Sequence, residues 1–148
     1  MSRSGYSDDI DDNWQLVRWR GAVRSAIHGQ RGQAFLRDLL GALHELPQKR
    51  LITGNMTKGG ECCSIGALGK KRGVDMKPID EMIDEDSYDE QIGEEVAATF
   101  GIADALAREI MWANDEGGIW NETDEQRYER MIRWVQNRIK EPCCRNRT

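Results

Sequence analysis

Six apolar side chains repeat at helical spacing in one segment of the sequence, and this repeat constrains the fold more than any other feature. They are Phe35, Leu36, Leu39, Leu40, Leu43 and Leu46. Spacings of three and four residues put these side chains on one face of a helix, and that face must be buried against other elements. Pro47 cannot continue a helix. The sequence therefore predicts a long amphipathic helix that ends before residue 47.

Similar patterns predict helices along most of the remaining chain. Glycine or proline lies at or just after the end of each segment, which is where helices commonly stop. Two motifs, Ser87-x-x-Glu90 and Thr123-x-x-Gln126, have the spacing of a capping box at a helix start. The predicted helical segments are residues 12–28, 62–73, 87–101, 102–117 and 123–142.

The chain of 148 residues has the usual length of a single domain with one core. We predict an all-α, single-domain helical bundle of about five to six helices over residues 12–141. One short strand or hairpin is allowed near residues 50–62, where glycines cluster, and residues 78–87 are interpreted as an acidic connector. A flexible polar tail is expected over residues 1–11 and a flexible basic tail over residues 142–148.

The sequence contains no candidate membrane span or export signal. No apolar run approaches the roughly 18 residues that a membrane span requires. The polar, acidic N-terminal segment lacks the basic start and apolar stretch of a secretory signal. We therefore expect a cytoplasmic protein that does not interact with membranes.

The four cysteines form two adjacent pairs, Cys62-Cys63 and Cys143-Cys144. Neighbouring cysteines cannot bridge each other without strain, and zinc ligands are normally two to four residues apart. We therefore expect no disulfide, no metal site and no cofactor. The first pair is expected to pack as small apolar side chains.

The most uneven feature is a block of charge. Residues 78–107 contain ten Asp and Glu residues and no Lys or Arg. Such a block is either a solvated face or a surface that imitates nucleic-acid phosphates and occupies a basic groove of a partner protein. The candidate partner-binding residues are Asp80, Glu81, Asp84, Glu85, Asp86, Asp89, Glu90, Glu94 and Glu95.

Positive charge collects on the first predicted helix. Arg18, Arg20 and Arg24 lie near Trp14 and Trp19, a combination that could hold a phosphate while an indole stacks on a base. The alternative, which we favour, is that both tryptophans belong to the core and that the arginines pair with acids elsewhere in the chain.

Asn114, Asp115 and Glu116 occupy the last turn of a predicted helix, where two carboxylates face the negative end of the helix dipole. We expect compensation by an arginine of the first or the final helix, or by a bound cation, and structural pairing is the favoured alternative.

Enzymatic motifs are largely missing from the sequence. It contains no nucleophile elbow, Walker loop, H-E-x-x-H motif or dinucleotide fingerprint. One enzyme hypothesis is kept, an all-α nucleotide pyrophosphohydrolase in which acids hold Mg²⁺. Its acids would be Glu90, Glu94, Glu95, Asp115 and Glu116, but they lack the usual E-x-x-E and E-x-x-D spacing. We therefore assign no catalytic residue.

Several stretches resemble a family of small uncharacterised proteins of tailed phages and prophages, over Trp14 to Ile139. They are RWRGAVRSAI (18–27), RGQAF (31–35), KRLI (49–52), CSIGALGKKRG (63–73), FGIADAL (100–106), NDE (114–116) and RWVQNRI (133–139). The family pattern reads C-A-I-G-A where this chain has Cys63-Ser64-Ile65-Gly66-Ala67, and it lacks the terminal cysteine pair. The family has no assigned activity, so the resemblance implies context but no functional residue.

Together these observations predict a non-enzymatic accessory phage protein that binds and inhibits a host factor through the acidic block, such as a CRISPR effector or another nucleic-acid-binding defence protein. The first alternative is a nucleotide or nucleic-acid binder, for example one that sequesters a cyclic nucleotide. The second is the Mg²⁺-dependent hydrolase.

Overall fold

The computed structural model describes residue 4 and residues 13–140. Apart from Ser4, the tails predicted at 1–11 and 142–148 lie outside the described residues. Seven helices and one two-stranded sheet occupy the described part of the chain. The helices are α1 (Asn13–His28), α2 (Gln30–Glu45), α3 (Ser64–Arg72), α4 (Lys77–Asp84), α5 (Asp89–Phe100), α6 (Asp104–Glu116) and α7 (Asp124–Gln136).

The fold is an all-α single domain, as predicted. The helix α2 lies at its centre and packs against α1, α3 and α7, while α6 packs against α1, α3, α5 and α7. The predicted apolar face of α2 is buried, with Phe35, Leu36, Leu39 and Leu43 at 2% exposure or less. Each such side chain stabilises the fold by about 1.5–3 kcal/mol, so the face that the sequence marks most clearly is also central to the core.

The helix α4 was not predicted, because residues 78–87 were interpreted as a connector. Pro78 lies in the first turn of α4, where its missing N–H has no partner to lose, so it starts this helix rather than interrupting it. Ile79 is buried, and Met82 and Ile83 pack partly against the core. Because acidic residues separate these apolar residues in the sequence, the short amphipathic pattern of α4 was not apparent.

The two predicted capping boxes have different outcomes. At the start of α7, the Thr123 hydroxyl accepts from the Gln126 N–H at 3.1 Å, and the Gln126 side chain accepts from the Thr123 N–H at 2.9 Å. This box is confirmed. The box at Ser87 is wrong, because α5 begins one residue later with Tyr88 as its cap. The Ser87 N–H instead donates to the Met82 carbonyl of α4 at 3.0 Å.

A short hairpin lies within the segment where a strand was allowed. Strand β1 (Thr57–Lys58) pairs antiparallel with β2 (Glu61–Cys62), and Thr57 lies opposite Cys62. The hairpin is followed directly by α3. The Cys63 N–H donates to the Met56 carbonyl at 3.0 Å, so the loop crosses the first turn of α3 at close range.

None of the helices described between residues 13 and 140 has both the length and the apolar character that crossing a membrane demands.

Gly66 permits the close crossing of the hairpin and α3. A Cβ atom at this position would overlap the Met56 carbonyl and approach the Cβ of Cys62 at 3.0 Å. Both neighbours are fixed, since one is backbone and the other is the first side-chain atom. Any side chain at residue 66 would therefore push the hairpin away from α3.

Gly66→Ala is expected to lower the free energy of unfolding by about 1–3 kcal/mol, because the added methyl group cannot fit without a backbone shift. The matched control is Gly21→Ala in α1, where a Cβ meets nothing within 4 Å. Alanine there favours the helix, so stability should rise by about 0.5–1 kcal/mol. Urea unfolding of the three proteins measures both changes. Equal stability of Gly66→Ala and wild type would contradict the close packing of the hairpin segment against α3.

Candidate functional site

Five carboxylates of the predicted acidic block form an exposed surface on the α4–α5 turn and on α5. We call Glu85, Asp86, Glu90, Glu94 and Glu95 the acidic face. All five are exposed. None of them forms an ion pair with another residue of the described chain. Their charges are therefore compensated by solvent alone within residues 13–140.

The first acid of the block, Asp80, has a structural role. It is only 9% exposed. Its Oδ1 accepts from the Met56 N–H at 2.7 Å, and its Oδ2 accepts from the N–H and the hydroxyl of Thr57 at 3.2 and 3.0 Å. These bonds attach the hairpin to α4. Asp80 therefore does not belong to an exposed partner-binding surface, which corrects its assignment to one.

Three further acids of the block are partly compensated. Asp84 accepts from the Asn55 side chain at 3.0 Å, and Glu81 lies 3.9 Å from Lys77 on the exposed side of α4. Burial raises the pKa of Asp89, and the nearby Arg108 acts in the opposite direction. These residues lie at the edge of the acidic face and contribute less free charge to it.

Arg108 is the first cation that follows the block in the sequence, and it lies near Asp89 but forms no ion pair with the five carboxylates of the acidic face. Its guanidinium lies over the Trp19 ring, 4.5 Å from the centroid. Its Nε donates to the Ser4 carbonyl at 2.7 Å. The side chain therefore links α6 to α1, and the acidic face keeps its charge.

The second candidate group, on α1, is more exposed than expected. Trp14 is 73% exposed, so the expectation that both tryptophans are core residues is wrong for Trp14. Trp19 is half-buried and contacts Arg108. Arg18, Arg20 and Arg24 are exposed and form no ion pair with any other described residue. The expected pairing of these arginines with acids of residues 13–140 is also wrong.

The third candidate group centres on Asn114, which is 1% exposed and fully hydrogen-bonded. Its Oδ1 accepts from the N–H and the hydroxyl of Ser64 at 3.0 and 2.8 Å. Its Nδ2 donates to the Ile52 carbonyl at 2.9 Å and to the Asp115 carboxylate at 2.8 Å. The amide thus joins the end of α6 to the start of α3 and to the loop before the hairpin.

An arginine of the final helix compensates the carboxyl end of α6, but it bonds to backbone carbonyls and forms its ion pair with Glu122 instead of the expected pair with Asp115 or Glu116. Arg130 of α7 donates to the carbonyls of Ala113 and Asn114 at 2.6 and 3.2 Å. It also pairs with Glu122 through two bonds of 2.6 and 2.9 Å. The hydrogen bond from Arg130 lowers the pKa of Glu122 against the opposing effect of burial. The arginine reaches the helix carbonyls directly.

The acids proposed for a hydrolase do not form a metal site in the part of the chain that is described. Between residues 13 and 140, no three His, Cys, Asp or Glu side chains lie close enough together to hold an ion. Glu90, Glu94 and Glu95 lie on α5, whereas Asp115 and Glu116 lie at the end of α6. The geometry gives the hydrolase hypothesis no support.

Cys62 and Cys63 are both buried. The Cys63 Sγ accepts from the Gly66 N–H at 3.4 Å and caps α3. Burial raises the pKa of Cys62 to about 11, so its reactive thiolate is scarce at neutral pH. Both pack as expected for small apolar residues, while Cys143 and Cys144 lie outside the described residues.

One exposed apolar group was not predicted from the sequence. Ile119 and Trp120 are 65% and 97% exposed in the loop between α6 and α7. A signal was present, since both residues lie between Gly118 and the Thr123 cap and thus outside every helical stripe. A tryptophan at such a position has no helix face to bury it.

No family model, curated protein or solved structure matches the chain. The chemistry of the acidic face, of Trp14 and the arginines on α1, and of the exposed loop is therefore the basis for a functional proposal.

Asn114→Ala is expected to lower the free energy of unfolding by about 2–4 kcal/mol, because it leaves the buried Ser64 N–H and Ile52 carbonyl without partners. Asn121→Ala is the matched control, since Asn121 is exposed in the next loop and should change stability by at most about 0.5 kcal/mol. Chemical denaturation measures both. Similar stability of the two variants would show that the amide does not hold the three segments together.

Proposed function

We propose that this protein acts stoichiometrically, without catalysis, by binding and inhibiting a host protein whose surface is basic. The acidic face is the proposed contact surface. The observation that carries this proposal is that its five carboxylates are exposed and have no ion-pair partner among the described residues. The resemblance to phage proteins supplies the expectation that the partner belongs to the host and acts in defence.

Repulsion between carboxylates of the acidic face favours the binding of a basic partner. Glu90 and Glu94 are four residues apart on α5, where like charges destabilise a helix by about 0.2–0.5 kcal/mol. Glu90 lies in the first turn of α5, where the helix dipole favours a carboxylate, but Glu94 lies beyond that turn and has no such compensation. A basic partner would remove the repulsion on binding and would also be drawn to the face from a distance, which raises the association rate.

The chemistry of the face favours one class of partner. A row of carboxylates without neighbouring cations resembles the phosphates of a nucleic acid, because both present negative charge that solvent alone compensates. A groove that binds nucleic acid is lined with Lys and Arg. A nucleic-acid-binding defence effector therefore has the complementary surface, whereas a nucleic acid itself would be repelled.

Triple replacement of Glu85, Glu90 and Glu94 by Gln is expected to abolish capture of the host partner. Stability should change by less than about 1 kcal/mol, because the relief of repulsion opposes the lost interaction of Glu90 with the helix dipole. The matched control is Arg18→Gln, Arg20→Gln and Arg24→Gln, which removes the same number of exposed charges of opposite sign from α1. Affinity capture from host lysate with quantitative mass spectrometry, together with thermal melting, checks both. Equal capture by the acidic variant and wild type would reject the proposal.

A second candidate function is the binding of a nucleotide or nucleic acid by α1. Its support is the exposure of Trp14 together with that of Arg18, Arg20 and Arg24. Trp14 and Arg18 lie one helical turn apart, so an indole and a cation can reach one ligand.

If α1 binds nucleotides, mono-, di- or cyclic nucleotides should raise the melting temperature of the wild-type protein. The effect should vanish in the triple arginine variant and persist in the triple glutamate variant. A flat thermal-shift screen across these ligands would reject this candidate.

A further inference from the structure

We propose that the loop between α6 and α7, residues 117–123, is the anchor of the partner complex, and that Trp120 inserts into an apolar pocket bordered by Lys or Arg on the partner protein. This inference rests on the proposed function, since it needs a protein partner. It assigns the loop a role distinct from that of the acidic face.

Trp120 is the most exposed large apolar side chain in the described chain. Its side chain is 97% exposed, and the neighbouring Ile119 is 65% exposed. A tryptophan can bury 150–250 Å² of surface on contact, and tryptophan is among the residues that contribute most at protein interfaces. In the free protein this apolar area contributes nothing to the core.

An ion pair and backbone hydrogen bonds restrict the loop that carries Trp120. The Glu122 carboxylate, only 8% exposed, receives two hydrogen bonds from Arg130, and the Arg130 guanidinium also holds the last carbonyls of α6. The Glu122 N–H closes the turn on the Ile119 carbonyl at 3.1 Å. A loop held in this way loses little conformational freedom when it binds, which favours affinity.

Gly118 lets the loop pass directly over this ion pair. A Cβ atom at this position would overlap the Glu122 carboxylate and approach the Arg130 Nε at 2.7 Å. The backbone is therefore packed tightly against the pair, while the next two side chains point away from it into solvent. The structure combines a rigid base with an exposed apolar tip.

Charge around the loop identifies the partner. Glu116 and Glu125 are exposed on either side of it. Arg127 is 8% exposed and pairs with Asp124 at 2.7 Å, so it is turned inward. The loop thus presents an apolar tip with an acidic rim. The complementary surface is an apolar pocket with a basic rim, and an anionic membrane or a nucleic acid would be repelled.

The loop lies at one end of the acidic face. The helices α5 and α6 form an antiparallel hairpin, and Gly93 of α5 packs against the Arg108 side chain of α6. The carboxyl end of α6 is therefore at the same end of the hairpin as the start of α5. Asp86 and Tyr88, the latter 77% exposed, lie at that end. The loop and the first residues of the acidic face therefore lie at the same end of this helix pair.

The decisive variant is Trp120→Ala, and Trp14→Ala is its matched control because Trp14 is also exposed but lies on α1. The host protein captured by wild type is purified and titrated by calorimetry against wild type, both tryptophan variants and the triple glutamate variant. Trp120→Ala should weaken binding by about 30-fold or more without changing the melting temperature. Trp14→Ala should bind within about twofold of wild type. Equal affinity of Trp120→Ala and wild type overturns the inference.

A second measurement does not require a purified partner. Replacement of Trp120 by the photo-reactive p-benzoylphenylalanine should give an ultraviolet-dependent adduct with the same host protein that wild type captures, and peptide mapping should place the adduct at an apolar site bordered by Lys or Arg. No adduct, or an adduct with a second copy of this chain only, overturns the inference.

The calorimetric titration also separates this inference from the proposed function. If Trp120→Ala weakens binding and the triple glutamate variant does not, the proposed acidic contact is rejected and the anchor is supported. The reverse result rejects the anchor alone.

Discussion

The buried amide of Asn114 is the interaction on which the arrangement of this domain most depends. It supplies both acceptors and donors where three chain segments meet without a sheet or a long helix to order them. A buried polar group that satisfies every partner specifies one arrangement, because any displacement leaves an unpaired backbone group. Apolar packing alone would tolerate several relative positions of α3, α6 and the loop between them.

Polar side chains also join separate chain segments at other positions in the domain. Gln33 donates to the carbonyls of Ile27 and Arg138 and accepts from the Lys140 N–H, so it joins the ends of α1 and α7 to α2. Arg127 donates to the Leu51 carbonyl at 2.7 Å. These side chains bond to backbone groups that short helices and tight turns leave without helical partners. A side chain that joins two segments through such hydrogen bonds is not available to a partner protein. Asp80 is one of these side chains, so it does not belong with the exposed acids of the block.

Local signals were readable from the sequence, whereas tertiary roles were not. The apolar stripe of α2 and the Thr123 cap depend on spacing within one segment, and both were predicted. The helix α4 was missed because the many acids of residues 78–87 indicated a connector, although proline is tolerated in the first turn of a helix. The roles of Asp80 and Arg130 depend on carbonyls and amides tens of residues away, and no local spacing records such partners. The exposure of Trp120 was deducible from its place between two helix ends.

The separation of positive and negative charge along the chain affects how the protein is oriented as it approaches a partner. Residues 1–77 contain 13 Lys and Arg against 8 Asp and Glu, whereas residues 78–107 contain no cation. With exposed arginines on α1 and exposed carboxylates on α5, the domain has an electric dipole moment. In the field of a basic protein the molecule therefore turns its α5 side forward during the approach. Beyond a Debye length of about 8 Å at physiological salt this torque fades, so the orientation is set only in the last nanometre of the encounter.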